Sequence, residues 1–314
     1  MIMKERVLVV GANGFIGKHL INELISNEIP VTAIIKNNSD TAKLKKLGCY
    51  NIIRTNNFND SAVIRQLLIS RPKYIINCAW EKNKKNILLP VENTQILIEL
   101  LKLTEAINCE GFINIGTYEE YGFYKENISE NSSVSPKTEF GKLKYAHCLL
   151  LFEIAKSLNL KACHIRLSEA YSLNKPDEFI FNKLIKNISK GISNNIKTTN
   201  KKIDYIFVSD ICRGIIQLIE NGASGIFNIG TGESFPNKDL INMIVKQTHS
   251  NYKNDLLPDD FKDFTLNINK IYNQTGWKPS ISIWDGISML IQEEKFKNPN
   301  TFDDFTKTIR SLYK

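Results

Sequence analysis

Through roughly the first 170 residues, short apolar runs alternate with longer stretches whose apolar positions recur every three or four residues. The runs at 6–10, 31–35, 50–54, 74–78, 111–115 and 162–167 predict strands, because a strand buried on both faces reads as a continuous apolar stretch. The segments at 17–27, 41–47, 60–70, 89–108 and 141–158 carry the helical period. Repeated strand–helix units of this kind imply a parallel sheet joined by right-handed crossovers. Beyond Tyr171 the pattern changes. Loops rich in Asn, Lys and Ser enclose a helix at 178–190, followed by a strand and helix at 204–220 and a strand at 225–229. The remainder holds shorter helical stretches and turns such as Trp277-Lys-Pro279.

The first strand runs directly into a glycine-punctuated turn, Val7-Leu-Val-Val-Gly11-Ala-Asn-Gly14-Phe-Ile-Gly17. Gly11 permits the tight turn, Gly14 lets a pyrophosphate approach the backbone, and Gly17 allows close helix–strand contact. The free N–H groups of the helix then hold the phosphates. Gly11, Asn13, Gly14, Phe15 and Ile16 are therefore candidate cofactor contacts. The expected fold is α/β: a Rossmann-like, doubly wound parallel sheet over 1–172, to which 203–230 returns. A smaller α/β substrate-binding lobe, 173–202 with 231–314, caps its carboxyl edge.

A carboxylate at the end of the second strand would take the ribose hydroxyls of NAD, and a basic residue would favour the 2′-phosphate of NADP. Ile35-Lys36-Asn37-Asn38 offers Lys36 and no acid, which points to NADP(H), with NAD(H) as the alternative and a merely solvated lysine as the plain reading. After the third strand, Asn57 and Phe58 are placed to meet adenine, the Asn57 amide oxygen accepting from its amino group.

Composition narrows the class. A chain of 314 residues can bury a sizeable core, and 42% hydrophobic with 24% charged residues describes a soluble globular protein. The net charge of +8 comes from scattered lysines, as in Lys43-Leu-Lys-Lys46 and Lys82-Asn-Lys-Lys85. No arginine stripe or aromatic RNA-binding signature accompanies them, which argues against a nucleic-acid partner and for attraction of an anionic ligand. Six separated cysteines without a Cys-x-x-Cys pair fit reduced thiols better than a disulfide frame or a metal site. With a first strand starting near Lys4 and no apolar run of membrane-spanning length, the expected location is cytoplasmic, away from membranes.

Several further motifs follow in order: Asn77-Cys-Ala79, Asn93 after Pro90, Gly116-Thr117-Tyr-Glu-Glu-Tyr121-Gly122, Asp204-Tyr-Ile-Phe-Val-Ser-Asp210, Phe227-Asn-Ile-Gly-Thr-Gly232 and Trp277-Lys-Pro279. With the glycine loop, they make nearly the whole chain resemble the extended short-chain dehydrogenase/reductases, specifically the nucleotide-sugar epimerases, dehydratases and 4-ketoreductases. The resemblance implies that Cys78, Ala79, Trp80 and Asn93 line the cofactor site and that Thr117 hydrogen-bonds the substrate's carbonyl or alcohol oxygen. It also implies that Lys144 holds the nicotinamide ribose and lowers the pKa of a catalytic tyrosine four residues before it.

That tyrosine is absent. In Pro136-Lys-Thr-Glu-Phe-Gly-Lys-Leu-Lys144 its position holds Phe140, which shares a helix face with Lys144 but carries no proton. The other Tyr-x-x-x-Lys match, Tyr121 with Lys125, falls in a loop-like stretch and reads as coincidence. Sugar 4,6-dehydratases carry Thr-Asp-Glu, whereas this chain has Thr117-Tyr118-Glu119. The Gly-Thr-x-Glu-Glu-Tyr-Gly form is more similar to 4-ketoreductases of the dTDP-fucose or CDP-abequose synthase type. The family arginine before Asp-Phe is replaced by Ile203, and Lys201, Lys202, Lys183 or Lys186 would have to supply its charge. Arg166 reads as structural, and Glu119 and Glu120 equally as hydrogen-bonders of loop amides.

The expectation is thus NADP(H)-dependent reduction of a nucleotide-linked 4-keto-6-deoxyhexose, impaired by Phe140, with substrate contacts at Trp80, Tyr118, Glu119, Glu169, Lys183 and Lys202. A nucleotide-sugar 4-epimerase and a catalytically silent NAD(P)-binding protein are the alternatives. The family also implies a homodimer through the helices at 89–108 and 141–158, whose apolar content (Leu97-Ile-Glu-Leu-Leu101, Leu149-Leu-Leu-Phe152) suits an interface.

Overall fold

The computed structural model describes residues 6–81, 88–122, 127–173, 180–189, 196–198, 200–249, 254–256 and 263–295. The lysines at 82–85 and Lys125 lie outside them, as do 178, 179 and 190 of the expected sixth helix. The strands in chain order are β1 Val7–Val10, β2 Val31–Ile35, β3 Ile52–Arg54, β4 Tyr74–Asn77, β5 Gly111–Ile115, β6 Lys161–Leu167, β7 Glu169–Tyr171, β8 Ile196–Thr198, β9 Lys202–Ile203, β10 Tyr205–Phe207, β11 Gly225–Ile229, β12 Phe235–Pro236 and β13 Asn254–Leu256. The helices are α1 Phe15–Ser26, α2 Ala42–Lys46, α3 Ser61–Ser70, α4 Leu89–Ala106, α5 Glu139–Ser157, α6 Ile180–Ser189, α7 Val208–Glu220, α8 Asn237–Gln247, α9 Asn269–Thr275 and α10 Ile283–Lys295.

The main sheet has the order β11-β6-β5-β4-β1-β2-β3, with every pairing parallel. β1, β4 and β5 are buried along their whole length, which is why they read as unbroken apolar runs. One face of the sheet packs on α1 and α7, through Leu20, Ile21, Ile211 and Ile215. The other packs on α3, α4 and α5, through Leu67, Leu97, Leu101 and Leu151. The strand order reverses between β1 and β4, and open α/β sheets bind their ligands in the crevice at such a switch point.

A third apolar cluster, with Tyr171, Phe181, Leu240, Ile241 and Ile287, forms the core of a smaller lobe. β10 joins the two by simple alternation. Ile206 points into the sheet's core, while Tyr205 and Phe207 point into the lobe's. Ile271 of α9 and Trp277, within the stretch assigned from sequence to the lobe, pack into the sheet's core instead.

Element ends differ from the sequence reading where capping decides them. α5 begins at Glu139, not Gly141, because Thr138 accepts from the Gly141 N–H at 2.9 Å and so closes the first turn earlier than the apolar period suggests. Phe140 therefore lies in that first turn. The third strand starts at Ile52 because Tyr50, although apolar, is turned out to solvent. No helix among the described residues is long and apolar enough to cross a membrane.

Candidate active site

The turn after β1 is built around Gly11, whose φ of +76° is the left-handed region that side chains avoid. A Cβ there would also lie 2.6 Å from the Ala79 backbone nitrogen, so the end of β4 can close against the turn only if residue 11 is glycine. Gly14 caps α1 without any side-chain partner, leaving the first helical N–H groups for an anion. A cavity of about 630 Å³ opens over this turn, at the switch point. Asn13, Gly14, Lys36, Cys78, Ala79 and Trp80 line it. Ile34, Ile35 and Phe58 supply an apolar wall on the β2 and β3 side, suited to a flat base. Glycine turn, free helix terminus, apolar wall and Lys36 together fit a nicotinamide dinucleotide.

Some expected contacts are placed elsewhere. Phe15 and Ile16 pack against the sheet's core. Asn57 turns its amide oxygen to the Asn59 N–H at 2.9 Å, a local turn that occupies the atom expected to meet adenine, and the neighbouring Asn56 lines the cavity instead. Asn93 does not line the cavity. Its side chain accepts from Glu81 N–H at 2.9 Å and donates to the Glu81 carbonyl at 3.3 Å, fixing the backbone that follows Trp80.

Thr117 follows β5 and caps the short helix Tyr118–Tyr121, its hydroxyl accepting from the Glu119 N–H at 3.3 Å. That short helix is clamped to the start of α5. The Thr138 hydroxyl donates to Glu119 Oε2 at 2.5 Å, and a Cβ on Gly141 would sit 2.6 Å from the Glu119 carbonyl oxygen. The segment bearing Thr117 and the turn bearing Phe140 thus form one unit. Lys144 lies one helical turn beyond Phe140, nearly buried, its Nζ donating to the Ile115 carbonyl at 2.7 Å. Nζ also sits 3.8 Å from the centre of the Trp80 ring, a close cation–π contact, and 5.7 Å from that of Phe140. Phe140 meets Trp80 edge to face at 5.2 Å and remains 37% exposed.

Behind these groups runs a buried polar row that the sequence reading did not assemble. Asn77, Asn114 and His164 are register partners on β4, β5 and β6. Asn77 accepts from the Ala79 N–H at 3.1 Å and donates to Asn114 at 3.0 Å. Asn114 Nδ2 lies 3.2 Å from His164 Nδ1, and His164 Nε2 lies 2.8 Å from Glu120 Oε1. The same Glu120 oxygen accepts from the Thr117 N–H at 3.0 Å, and Oε2 accepts from Arg166 Nε at 2.9 Å. With Asn114 donating, His164 must carry its proton on Nε2, so the donors run from the Ala79 N–H through Asn77, Asn114 and His164 to Glu120, on which the Thr117 N–H also converges. Burial alone pushes the Glu120 carboxyl up, but His164, then Arg166 and the Thr117 N–H, outweigh it and hold the group below its usual range. Cys148 Sγ lies within 4.8 Å of the Glu120 and His164 side-chain atoms, and burial pushes its thiol up to about 12. The only signal in the sequence was polar residues inside buried strands.

Tyr121 donates to Asn228 Oδ1 at 2.7 Å, its ring lies 4.4 Å from the Arg166 guanidinium, and burial pushes its phenol up to about 12. Tyr121 is thus held in packing, and its match Lys125 lies outside the described residues. Among the expected substrate contacts, Tyr118 stacks on Phe264 at 4.1 Å and donates to Glu169 at 3.3 Å, at the carboxyl ends of β5 and β6. Lys202 is half-buried in β9, and Lys183 is exposed on α6.

Strand order, glycine turn and switch-point cavity define a Rossmann-type dinucleotide-binding protein. Residues 7–230 match the model of the NAD dependent epimerase/dehydratase family, and the chain belongs to that family. It is 28% identical to dTDP-4-dehydro-6-deoxyglucose reductase of Escherichia coli, over 94% of this chain and 99% of the relative. It is 25% identical to CDP-abequose synthase of Salmonella typhimurium, over 92% and 98%. Among solved structures, dTDP-glucose 4,6-dehydratase of Bacillus anthracis, in complex with NAD, superposes with a TM-score of 0.82 over 96% of this chain and 99% of that one. At 18% identity this last likeness is one of fold.

Proposed function

We propose that the protein is an NADP(H)-dependent reductase that converts a nucleotide-linked 4-keto-6-deoxyhexose to the 4-hydroxy sugar, for surface-polysaccharide sugar biosynthesis, at a rate lowered by Phe140. The observation that carries this reading is the similarity to dTDP-4-dehydro-6-deoxyglucose reductase across both nearly complete chains. The residues fit the task. Gly11, Asn13 and Gly14 hold the pyrophosphate, Lys36 faces the adenosine ribose, and Lys144 and Ala79 border the nicotinamide end. The nicotinamide, when bound, supplies the hydride. Thr117 directs its hydroxyl proton to the carbonyl oxygen, its own oxygen being anchored by the Glu119 N–H. Trp80, Tyr118, Glu119 and Glu169 face the sugar, while Lys183 and Lys202 meet the diphosphate. Residue 140 keeps a ring that packs on Trp80 and has no hydroxyl with which to protonate the forming alcohol. The protein works as a homodimer in this reading.

NADPH consumption with dTDP- and CDP-linked 4-keto-6-deoxy sugars tests the proposal. Phe140→Tyr should raise the rate by about 10²–10⁴-fold, the usual value of a general acid, with little change in cofactor affinity. A Phe140→Tyr variant that neither reduces nor epimerises any such sugar would leave a silent binding protein. Tightly retained NAD together with interconversion of 4-hydroxy epimers would establish the 4-epimerase.

A further inference from the structure

The cavity over the glycine turn holds an ion pair that the cofactor reading does not use. Lys36, the residue after β2, pairs with Glu81, four residues past the end of β4. β2 and β4 are the two neighbours of β1, so they stand roughly 10 Å apart. The pair therefore arches over the carboxyl end of β1, above the turn that begins at Gly11. Both side chains line the cavity. Glu81 is not placed there by chance of rotamer alone, since Asn93 holds its backbone from both sides, N–H and carbonyl. Glu92 and Glu99 of α4 also line the cavity, so Lys36 is the one cation facing three carboxylates among the described lining residues.

We infer that Glu81 is a specificity-determining residue: it competes with the 2′-phosphate of the dinucleotide for Lys36 and so limits the preference for NADP(H) over NAD(H). The inference rests on the reading of this cavity as the cofactor site. A 2′-phosphate reaching Lys36 must displace the Glu81 carboxylate and then sit near it, gaining one charge contact and losing another. A ligand with a free 2′-hydroxyl meets no such repulsion. The lysine of the pair is 63% exposed and the glutamate 26%, so solvent screens the exchange and each side of it is modest. Its effect is a small bias in affinity and an easier release of the phosphorylated cofactor.

The test is calorimetric binding of 2′,5′-ADP and 5′-ADP to the intact protein, Glu81→Gln and Lys36→Ala, which reads affinity without catalysis. Glu81→Gln should tighten 2′,5′-ADP by about two- to fivefold, the value of a solvated ion pair, and leave 5′-ADP unchanged. Lys36→Ala should weaken 2′,5′-ADP selectively. If the unaltered protein prefers 2′,5′-ADP and Glu81→Gln leaves that ratio unchanged, the role of Glu81 is overturned and the NADP(H) reading stands. If the unaltered protein shows no preference and Glu81→Gln creates one, the role of Glu81 is supported and the NADP(H) reading falls. If neither protein discriminates, both are overturned.

Discussion

His147, which like Phe140 meets the Trp80 ring edge to face, makes the fold sensitive to acid. His147 places Nε2 3.0 Å from the Thr94 hydroxyl, which itself donates to the Pro90 carbonyl, so Nε2 carries a proton and donates to Thr94. Burial, then the neighbouring Lys144, pushes His147 down to about 4 from 6.5. Between those values the unfolded chain binds a proton that the folded protein refuses, so stability is full above about pH 6.5 and falls as pH drops toward 4. Urea titrations at several pH values should show that slope, and His147→Gln should flatten it. An unchanged slope would mean that the ring is solvated. Residue chemistry was partly legible beforehand. The shared face of Phe140 and Lys144 could be read from their spacing along a helix, whereas Thr117 came only from the family resemblance. The Asn77–Asn114–His164 row could not be read, because it is assembled by strand register, which no local pattern in the chain records.

At the scale of elements, one contact couples the two halves of the site. The short helix Tyr118–Tyr121 and the first turn of α5 touch through Gly141 and Thr138, so the position of Thr117 depends on how α5 begins. Gly141→Ala would drive a methyl group against the Glu119 carbonyl, and the two segments would have to part. That variant should unfold at lower temperature and show a lower kcat in NADPH consumption. Thr138→Ala loses a cap worth about 1 kcal/mol and should move both quantities in the same direction, less far. Unaltered kcat in Gly141→Ala would mean that Thr117 is held by Glu120 alone. The start of α5 was misread by two residues for the same reason: capping is a side-chain event, and the apolar period is blind to it. The main strands were legible because their burial on both faces keeps them mostly apolar, with a few buried polar residues such as Asn77, Asn114 and His164.

At the scale of the molecule, both cores are built from elements far apart in sequence, and the switch from one to the other at β10 is carried by alternate side chains of a three-residue strand. The division into 1–172 with 203–230, and 173–202 with 231–314, sets apart Tyr171, which packs in the lobe's core, and Trp277, which packs in the sheet's. The proposed homodimer is tested at the same scale. α4 and α5 pack on one side of the sheet, and their outward faces carry Val91 at 60% and Leu149 at 52% exposure, beside a shallow groove along α4 lined by Val91, Thr94 and Ile98. Apolar side chains exposed on adjacent parallel-running surfaces are costly in water and are relieved when a second copy covers them. A twofold arrangement puts the same two helices on both sides of the contact, so one substitution acts twice. Sedimentation at micromolar concentration should give about twice the chain mass of 35.9 kDa. Leu149→Asp buries two carboxylates in that contact and should return the protein to the single-chain mass, while leaving cofactor binding over the distant glycine turn intact. A single-chain mass for the unaltered protein, or a dimer indifferent to Leu149→Asp, would place the interface elsewhere or remove it.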